Sequence, residues 1–255
     1  MQERDPARPQ DAAQGCWSRL ARALWPPRCL LCGEPGAGRL DLCRACAGGL
    51  PWNRSACISC AIPLPDPPEN GSARRVSQTC GACLRRAPPL TEALAACIYA
   101  APMDRLLPRL KFHRDLATGR LLAQLMAQAF APTVREWPSA AVLVPVPLHR
   151  ARLRERGYDQ ALELARPLAR TFGLRLMEGA LQRTRGTSPQ SRLDAPQRRR
   201  NLDRAFAPRA GMACPAHVAL VDDVMTTGAT LHSATKALRR AGVARVDGWV
   251  CARVP

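Results

Sequence analysis

Two adjacent carboxylates and a cluster of threonines lie within nine residues of VALVDDVMTTGATL (218–231). Asp222 and Asp223 follow four apolar residues typical of a buried strand, and ligands of parallel sheets bind beyond the carboxyl ends of strands. The threonines surround Gly228 where a helix is expected to begin, and free N–H groups there bind phosphate. The stretch therefore predicts carboxylates for two vicinal hydroxyls beside a phosphate nest, the groups that a ribose 5-phosphate matches.

The alternative for this stretch is a strand, a turn and a helix whose threonines serve only as caps, which would be routine. Two acids directly before TTGAT are much less routine. The other common phosphate motifs are not present in the sequence: there is no G-x-x-x-x-G-K-[ST] and no strand-linked G-x-G-x-x-G. We therefore favour the binding interpretation.

Eight of the twelve cysteines form four C-x-x-C pairs. Such a turn aims two thiolates at one tetrahedral ion, so four pairs predict two structural zinc ions. We expect the first four cysteines on one ion and the next four on the other; an interleaved arrangement would use the same residues. The rivals are disulfides, which need an oxidising compartment, and redox pairs, for which four in succession are unusual. The predicted ligands are Cys29, Cys32, Cys43, Cys46, Cys57, Cys60, Cys80 and Cys83.

The other four cysteines have no partner at metal spacing, and we expect each to be a small buried or incidental residue. They are Cys16, Cys97, Cys214 and Cys251.

The chain is strongly basic, with a net charge of +18, and only Lys111 and Lys236 are lysines. Residues 150–209 carry 15 arginines against six acids. Such a concentration predicts polyanionic ligands, although an arginine-rich surface can also be only solubilising. The polar N-terminus has no apolar core of a secretory signal and no run of 18 apolar residues follows, so we expect a cytoplasmic protein without a membrane span.

Hydrophobic periodicity divides the chain into three parts. We expect a disordered tail over 1–24, a small zinc-stapled module over 25–90 and an α/β domain with a mostly parallel sheet over 91–255. In the helical pattern of 104–130, Pro108 and Gly119 are expected to split the helix. The other expected helices span 159–172 and 229–241, and the expected strands span 93–100, 141–147, 217–223 and 244–254.

VALVDDVMTTGATL resembles the 5-phosphoribosyl 1-pyrophosphate (PRPP) signature of type I phosphoribosyltransferases. The resemblance implies that Asp222 and Asp223 bind the ribose hydroxyls and that a loop binds the 5-phosphate. That loop consists of Thr226, Thr227, Gly228, Ala229 and Thr230.

Together with the cysteine pairs, VPVPLHRARLRERGYDQALELA (144–165) and LQRTRGTSPQSRLDAPQRRRNLDRAF (181–206) resemble the ComF family of competence proteins. The likeness runs from about Trp25 to Val254. It implies a double zinc ribbon followed by a type I phosphoribosyltransferase-like α/β domain, a parallel sheet flanked by helices. The family is associated with DNA uptake and, in some members, with single-stranded DNA.

The resemblance also assigns the arginine-rich middle of the chain. Pro147 and Leu148 would lie in the pyrophosphate loop, at least one of Arg152 and Arg156 would contact pyrophosphate, and Lys111 would reach it. The alternative for these arginines is a basic, solvated helix start. A mobile loop closing over PRPP would include Arg183, Thr187 and Gln190, and Arg199 and Asn201 also match the family pattern.

Two functions follow from these resemblances. The first is transfer of phosphoribose from PRPP with Mg²⁺ to an unknown acceptor, with Asp222 and Asp223 as the catalytic acids and Asp223 the candidate base. The second is a DNA-uptake factor that binds single-stranded DNA and uses PRPP as ligand or signal, in contact with the uptake machinery. The few aromatics of the basic segment give little support for base stacking.

Overall fold

The computed structural model describes residues 28–37, 40–66, 78–184, 205–212 and 215–255. The chain divides into two compact units, of which the first ends at Leu50 and the second begins at Pro51. The second cysteine group therefore lies in the same unit as the sheet. The expected tail over 1–24 falls outside the described residues, and the domain limits at 24 and 90 stay predictions.

The second unit is built on a parallel sheet, which confirms the expected α/β class. The described elements are, in chain order, α1 (Arg44–Gly48), α2 (Gly81–Arg85), β1 (Ala93–Ile98), α3 (Met103–Phe112), α4 (Leu116–Val134), β2 (Val142–Pro145), α5 (Arg150–Arg156), α6 (Gln160–Phe172), β3 (Arg175–Leu176), β4 (Leu181–Arg183), β5 (Phe206–Pro208), β6 (His217–Met225), α7 (Ala229–Arg240) and β7 (Arg245–Arg253). The strand order of the sheet is β1-β7-β6-β2-β3, and a separate antiparallel pair joins β4 to β5.

The central strands are apolar because helices cover the sheet. Residues 218–221 of β6 are fully buried, and β6 pairs with β2 on one side and β7 on the other. The Trp249 ring lies in a cluster with Phe130, Trp137 and Phe172, with centroids 5.0 to 5.7 Å from its own. This packing places the carboxyl ends of β2, β6 and β7 side by side.

The helical pattern of 104–130 is interrupted, but not where Pro108 and Gly119 predicted. Both residues lie inside helices, and the break falls between Phe112 and Leu116. The cause is a new cap: the Asp115 carboxylate accepts from the Thr118 N–H at 3.0 Å and starts α4. The break turns the end of α3 towards the carboxyl edge of the sheet.

The remaining expected elements form near their predicted limits, with one extension. β6 continues to Met225, two residues beyond its expected end, so the two aspartates lie within the strand and not at its last positions. The short helices α1, α2 and α5, the two-residue strand β3 and the β4–β5 pair were not predicted as elements. None of the described helices combines the length and the apolar character needed to cross a bilayer.

Candidate functional site

The eight predicted metal ligands form two separate groups of four, in sequential order. Within each group the Sγ atoms all lie within 4.8 Å of one another. The Cys32–Cys43 and Cys60–Cys80 Sγ pairs are 3.7 and 3.8 Å apart. Four thiolates about 2.3 Å from one Zn²⁺ are about 3.8 Å apart along a tetrahedral edge, so both groups fit structural zinc.

Short turns hold the thiols in place. Cys43 is the N-cap of α1, and its Sγ accepts from the Cys46 N–H at 3.4 Å. In the second group the Cys57 Sγ accepts from the Cys80 N–H at 3.3 Å. Burial alone would raise the pKa of Cys29, but the backbone N–H groups of Cys43, Cys32 and Leu31 outweigh it and lower the pKa to about 6. Such donors favour the thiolate that a metal requires.

Cys97 and Cys251 are fully buried in the second unit, as expected for residues without a metal role. Burial raises the pKa of Cys97 to about 12 and that of Cys251 well above its ordinary value. Cys16 and Cys214 lie outside the described residues.

A cavity of about 450 Å³ opens at the carboxyl edge of the sheet. It is formed where the chain leaves β1, β2, β6 and β7 and where α3, α5, α6 and α7 begin or end. Its lining includes every predicted PRPP-binding residue, namely Lys111, Pro147, Leu148, Arg152, Arg156, Asp222, Asp223, Thr226, Thr227, Gly228, Ala229 and Thr230. The fold thus brings together side chains up to 119 positions apart in the sequence.

Both aspartates face this cavity, and their environments differ. The Asp223 Oδ2 lies 3.2 Å from the Lys111 Nζ, in an ion pair across the cavity. Asp222 has no such cation within salt-bridge distance among the described residues. Burial, and next the charge of Asp223, raise the pKa of Asp222 to about 8. A cation or a hydroxyl-bearing ligand would satisfy this carboxyl.

The loop after β6 presents backbone N–H groups to the cavity. Gly228 is the N-cap of α7, with φ at 75°, and has no side chain with which to cap the helix. The first N–H groups of this 12-residue helix are therefore available to a ligand, and the helix dipole favours an anion. A Cβ at position 228 would lie 2.6 Å from the Met225 Cε and 2.9 Å from the His232 Nε2. A side chain at this position would have to displace both of these groups, in a backbone conformation that favours glycine.

Three arginines form another part of the cavity wall: Arg152, Arg156 and Arg183. The Arg156 guanidinium lies 5.4 Å from the centre of the Phe112 ring, and its buried Nη1 has no hydrogen-bond partner among the described residues. Burial, and next the charge of Arg152, lower the pKa of Arg183. Because like charges gather here at an electrostatic cost, the wall is suited to an anion.

The loop after β2 is held by Asp159, which the sequence pattern predicts only as the start of a helix. The Asp159 carboxylate caps α6 and also accepts from the Leu148 N–H at 3.1 Å. This bond uses the amide of Leu148 and holds the loop against α6. The cap signal was visible in the sequence, but its second partner, 11 residues earlier, was not.

The predicted mobile loop is only partly described. Arg183 lies at the end of β4, with its guanidinium 5.5 Å from the centre of the Phe206 ring. The structure thus places it in a strand instead of a loop. Thr187, Gln190, Arg199 and Asn201 lie outside the described residues. The cavity lining also contains Tyr99, Phe112, Asp159 and Gln160, which were not among the predicted site residues.

Comparisons with known proteins agree with the motifs. The double zinc ribbon domain family matches residues 20–84. The DNA utilization protein YhgH of Salmonella typhi is 33% identical over 234 residues, which cover 89% of this chain and 97% of that protein. Competence protein F of Haemophilus influenzae is 35% identical over 69% of this chain and 79% of its own length. Competence protein ComFC of Bacillus subtilis is 30% identical over 57% of each chain.

Proposed function

The chain belongs to the ComF family of competence proteins, and we propose that its second unit binds PRPP and transfers phosphoribose to an acceptor, in a process linked to DNA uptake. The names of its relatives, competence protein and DNA utilization protein, support the link to DNA. The proposed ligand and the proposed reaction are inferred from the residues that line the cavity. No name among these relatives states either of them.

One observation carries the proposal: two acids and an uncapped helix N-terminus share one cavity with a wall of arginines. PRPP has vicinal hydroxyls between a 5-phosphate and a 1-pyrophosphate. The acids match the hydroxyls, the N–H groups of α7 match the 5-phosphate, and Arg152, Arg156 and Lys111 match the pyrophosphate. A ligand that lacked any of these groups would leave part of the cavity unpaired.

The protein would act mainly by positioning and by charge stabilisation. When PRPP binds, Lys111 would leave Asp223 for the pyrophosphate, and both aspartates would accept from the ribose hydroxyls. Asp223 would then be the candidate to take a proton from the acceptor. Carboxylate oxygens are donors that Mg²⁺ accepts, and Mg²⁺ brought by PRPP would neutralise charge on the leaving pyrophosphate.

The test is a calorimetric titration of PRPP with Mg²⁺ into the zinc-loaded full chain. We expect one site, and we expect Asp222→Asn combined with Asp223→Asn to weaken binding at least about 100-fold, because two hydrogen-bonding carboxylates are lost. Asp104→Asn, an exposed aspartate of α3 outside the cavity, is the matched control and should bind as the wild type does. The absence of binding to the folded wild type would refute the proposal.

A second candidate function, binding of single-stranded DNA, is favoured by the rim of the same cavity. The Phe112 side chain is 65% exposed and lies against the Arg156 guanidinium. The Arg114 guanidinium lies 6.0 Å from the centre of the Tyr158 ring. The Tyr158 ring is half-buried, so the exposed Phe112 ring beside Arg156 is the better platform for a stacked base and its phosphate.

Fluorescence anisotropy with a labelled single-stranded oligonucleotide tests this candidate. We expect salt-sensitive binding that Phe112→Ala weakens about 5- to 100-fold, the loss of one stacked base. Leu84→Ala removes another exposed apolar side chain, on α2, and should leave binding unchanged. Equal binding by both variants would remove the stacking argument.

A further inference from the structure

The second cysteine cluster is hydrogen-bonded to the edge of the sheet. The Ala93 N–H donates to the Ile58 carbonyl at 2.8 Å, and the Asn53 N–H donates to the Ala96 carbonyl at 3.0 Å. These bonds cover the outer side of β1, the edge strand. A change in the cluster therefore has a direct path to the sheet.

One buried arginine carries that path to the phosphate loop. Arg253, at the end of β7, is only 8% exposed. Its Nε donates to the Cys60 carbonyl at 2.9 Å, and its Nη1 donates to the Met225 carbonyl at 3.3 Å and also to the Val254 carbonyl. A single guanidinium thus joins a predicted zinc ligand to the residue that precedes the phosphate loop.

Packing continues the connection from Met225 into the loop. The Met225 side chain is buried, and its Cε lies next to Gly228. A Cβ added to Gly228 would be only 2.6 Å from this Cε. Cys60 and Ala229 both pack against the hydrophobic core that contains Met225. The second cysteine cluster and the phosphate loop therefore both contact the same hydrophobic core.

Charge makes this link sensitive to the metal. A zinc ion held by four thiolates carries a net negative charge, whereas four protonated thiols carry none. A buried guanidinium bonded to carbonyl groups is costly without a compensating negative charge nearby. Arg253 is therefore best held in place when the cluster beside it contains zinc.

We propose that Arg253 is a positioning residue that makes the phosphate loop, residues 226–230, depend on zinc in the second cysteine cluster. With zinc bound, Arg253 holds the Met225 carbonyl and the loop keeps its anion-binding form. Loss of zinc releases Arg253 and loosens the loop. The inference rests on the proposed function only for the identity of the anion.

Amide hydrogen exchange of the full chain without PRPP tests this coupling separately from the ligand. Arg253→Gln should keep both zinc ions, by native mass spectrometry. It should also speed exchange of the His232 amide, which donates to the Gly228 carbonyl of the loop at 2.8 Å, at least about tenfold, the loss of one charged hydrogen bond. Wild-type exchange in a zinc-loaded Arg253→Gln would overturn the proposal.

A matched pair of cysteine variants gives the second arm. Cys46 and Cys83 are the last ligands of the two clusters, and both are half-buried. We expect Cys83→Ser to reproduce the faster loop exchange and Cys46→Ser, in the first unit, to leave it unchanged. Equal effects of the two variants would contradict the proposal. A failure of PRPP to bind would refute the proposed function but would leave these exchange rates, and this inference, intact.

Discussion

The strands β6 and β7 carry charged side chains at both ends, and the two ends are built differently. At the amino ends, the buried Asp247 accepts from the His217 Nε2 at 2.6 Å and from the Arg245 Nε at 2.9 Å. Arg245 also pairs with Glu92 at 3.1 Å, and the Trp137 ring covers His217 at 4.1 Å. At the carboxyl ends, similar charges face a cavity.

We interpret the amino ends as contributing to stability and the carboxyl ends as forming the candidate binding site. The amino-end cluster directs its charged groups at one another, so its charges serve the fold. Each end contains a buried polar atom without a hydrogen-bond partner among the described residues, the Asp247 Oδ1 and the Arg156 Nη1. Only the carboxyl end combines such an atom with an open cavity and with a carboxyl whose pKa is raised, that of Asp222. We therefore expect a ligand to satisfy the charged groups at the carboxyl end.

The largest expected effect is at the amino ends. Asp247→Ala removes the acceptor of two hydrogen bonds in a position with no exposure, and should lower the free energy of unfolding by about 2–4 kcal/mol. Urea denaturation measures this loss. Glu92→Gln, which alters only the outer partner of Arg245, should cost less than about 1 kcal/mol. If the amino ends are purely structural, folded Asp247→Ala should bind PRPP with wild-type affinity. A weaker affinity would contradict this separation of the two ends.

Asp222→Asn should do the opposite, raising stability while removing binding. Since the pKa of Asp222 rises from 3.8 to about 8 on folding, the folded state binds the extra proton between these values and stability falls as the pH rises. Thermal unfolding should show little difference near pH 4 and a more stable variant at pH 8, by at least about 1.4 kcal/mol, the equivalent of one pKa unit. A stability difference between variant and wild type that did not grow with pH would contradict a raised pKa for Asp222.

The smallest expected effect on stability is at the phosphate loop. Gly228→Ala and Gly173→Ala both place alanine at positive φ, 75° and 65°, and the backbone conformation alone should cost about 1 kcal/mol in each. Only at 228 would the Cβ also displace Met225 and His232. We therefore expect anion binding to be lost in Gly228→Ala alone. Equal binding by the two variants would show that the loop does not depend on this close packing.

The sequence predicted most of the site because its motifs are local. VALVDDVMTTGATL contains a strand, a turn and a helix start in one piece, and each C-x-x-C pair is its own turn. The ends of the long helices were harder to predict, because Pro108 and Gly119 are tolerated inside helices and the break depends on a cap at Asp115.

The contacts that the sequence could not show join distant residues. Lys111 meets Asp223 across 112 positions, and Arg253 reaches Cys60 across 193. Neither pair has a signature in either segment alone, because the contact exists only after the sheet has ordered its strands. The same holds for the stacking of Arg156 on Phe112.

The central claim is that the carboxyl edge of the sheet is a ligand site and the amino edge is structural. Amide hydrogen exchange of the zinc-loaded wild type, with and without PRPP and Mg²⁺, tests it most directly. We expect protection of the Val146 and Leu148 amides and of residues 222–230, and no change around His217 and Asp247. Unchanged exchange at the carboxyl edge, or protection at the amino edge, would contradict the account.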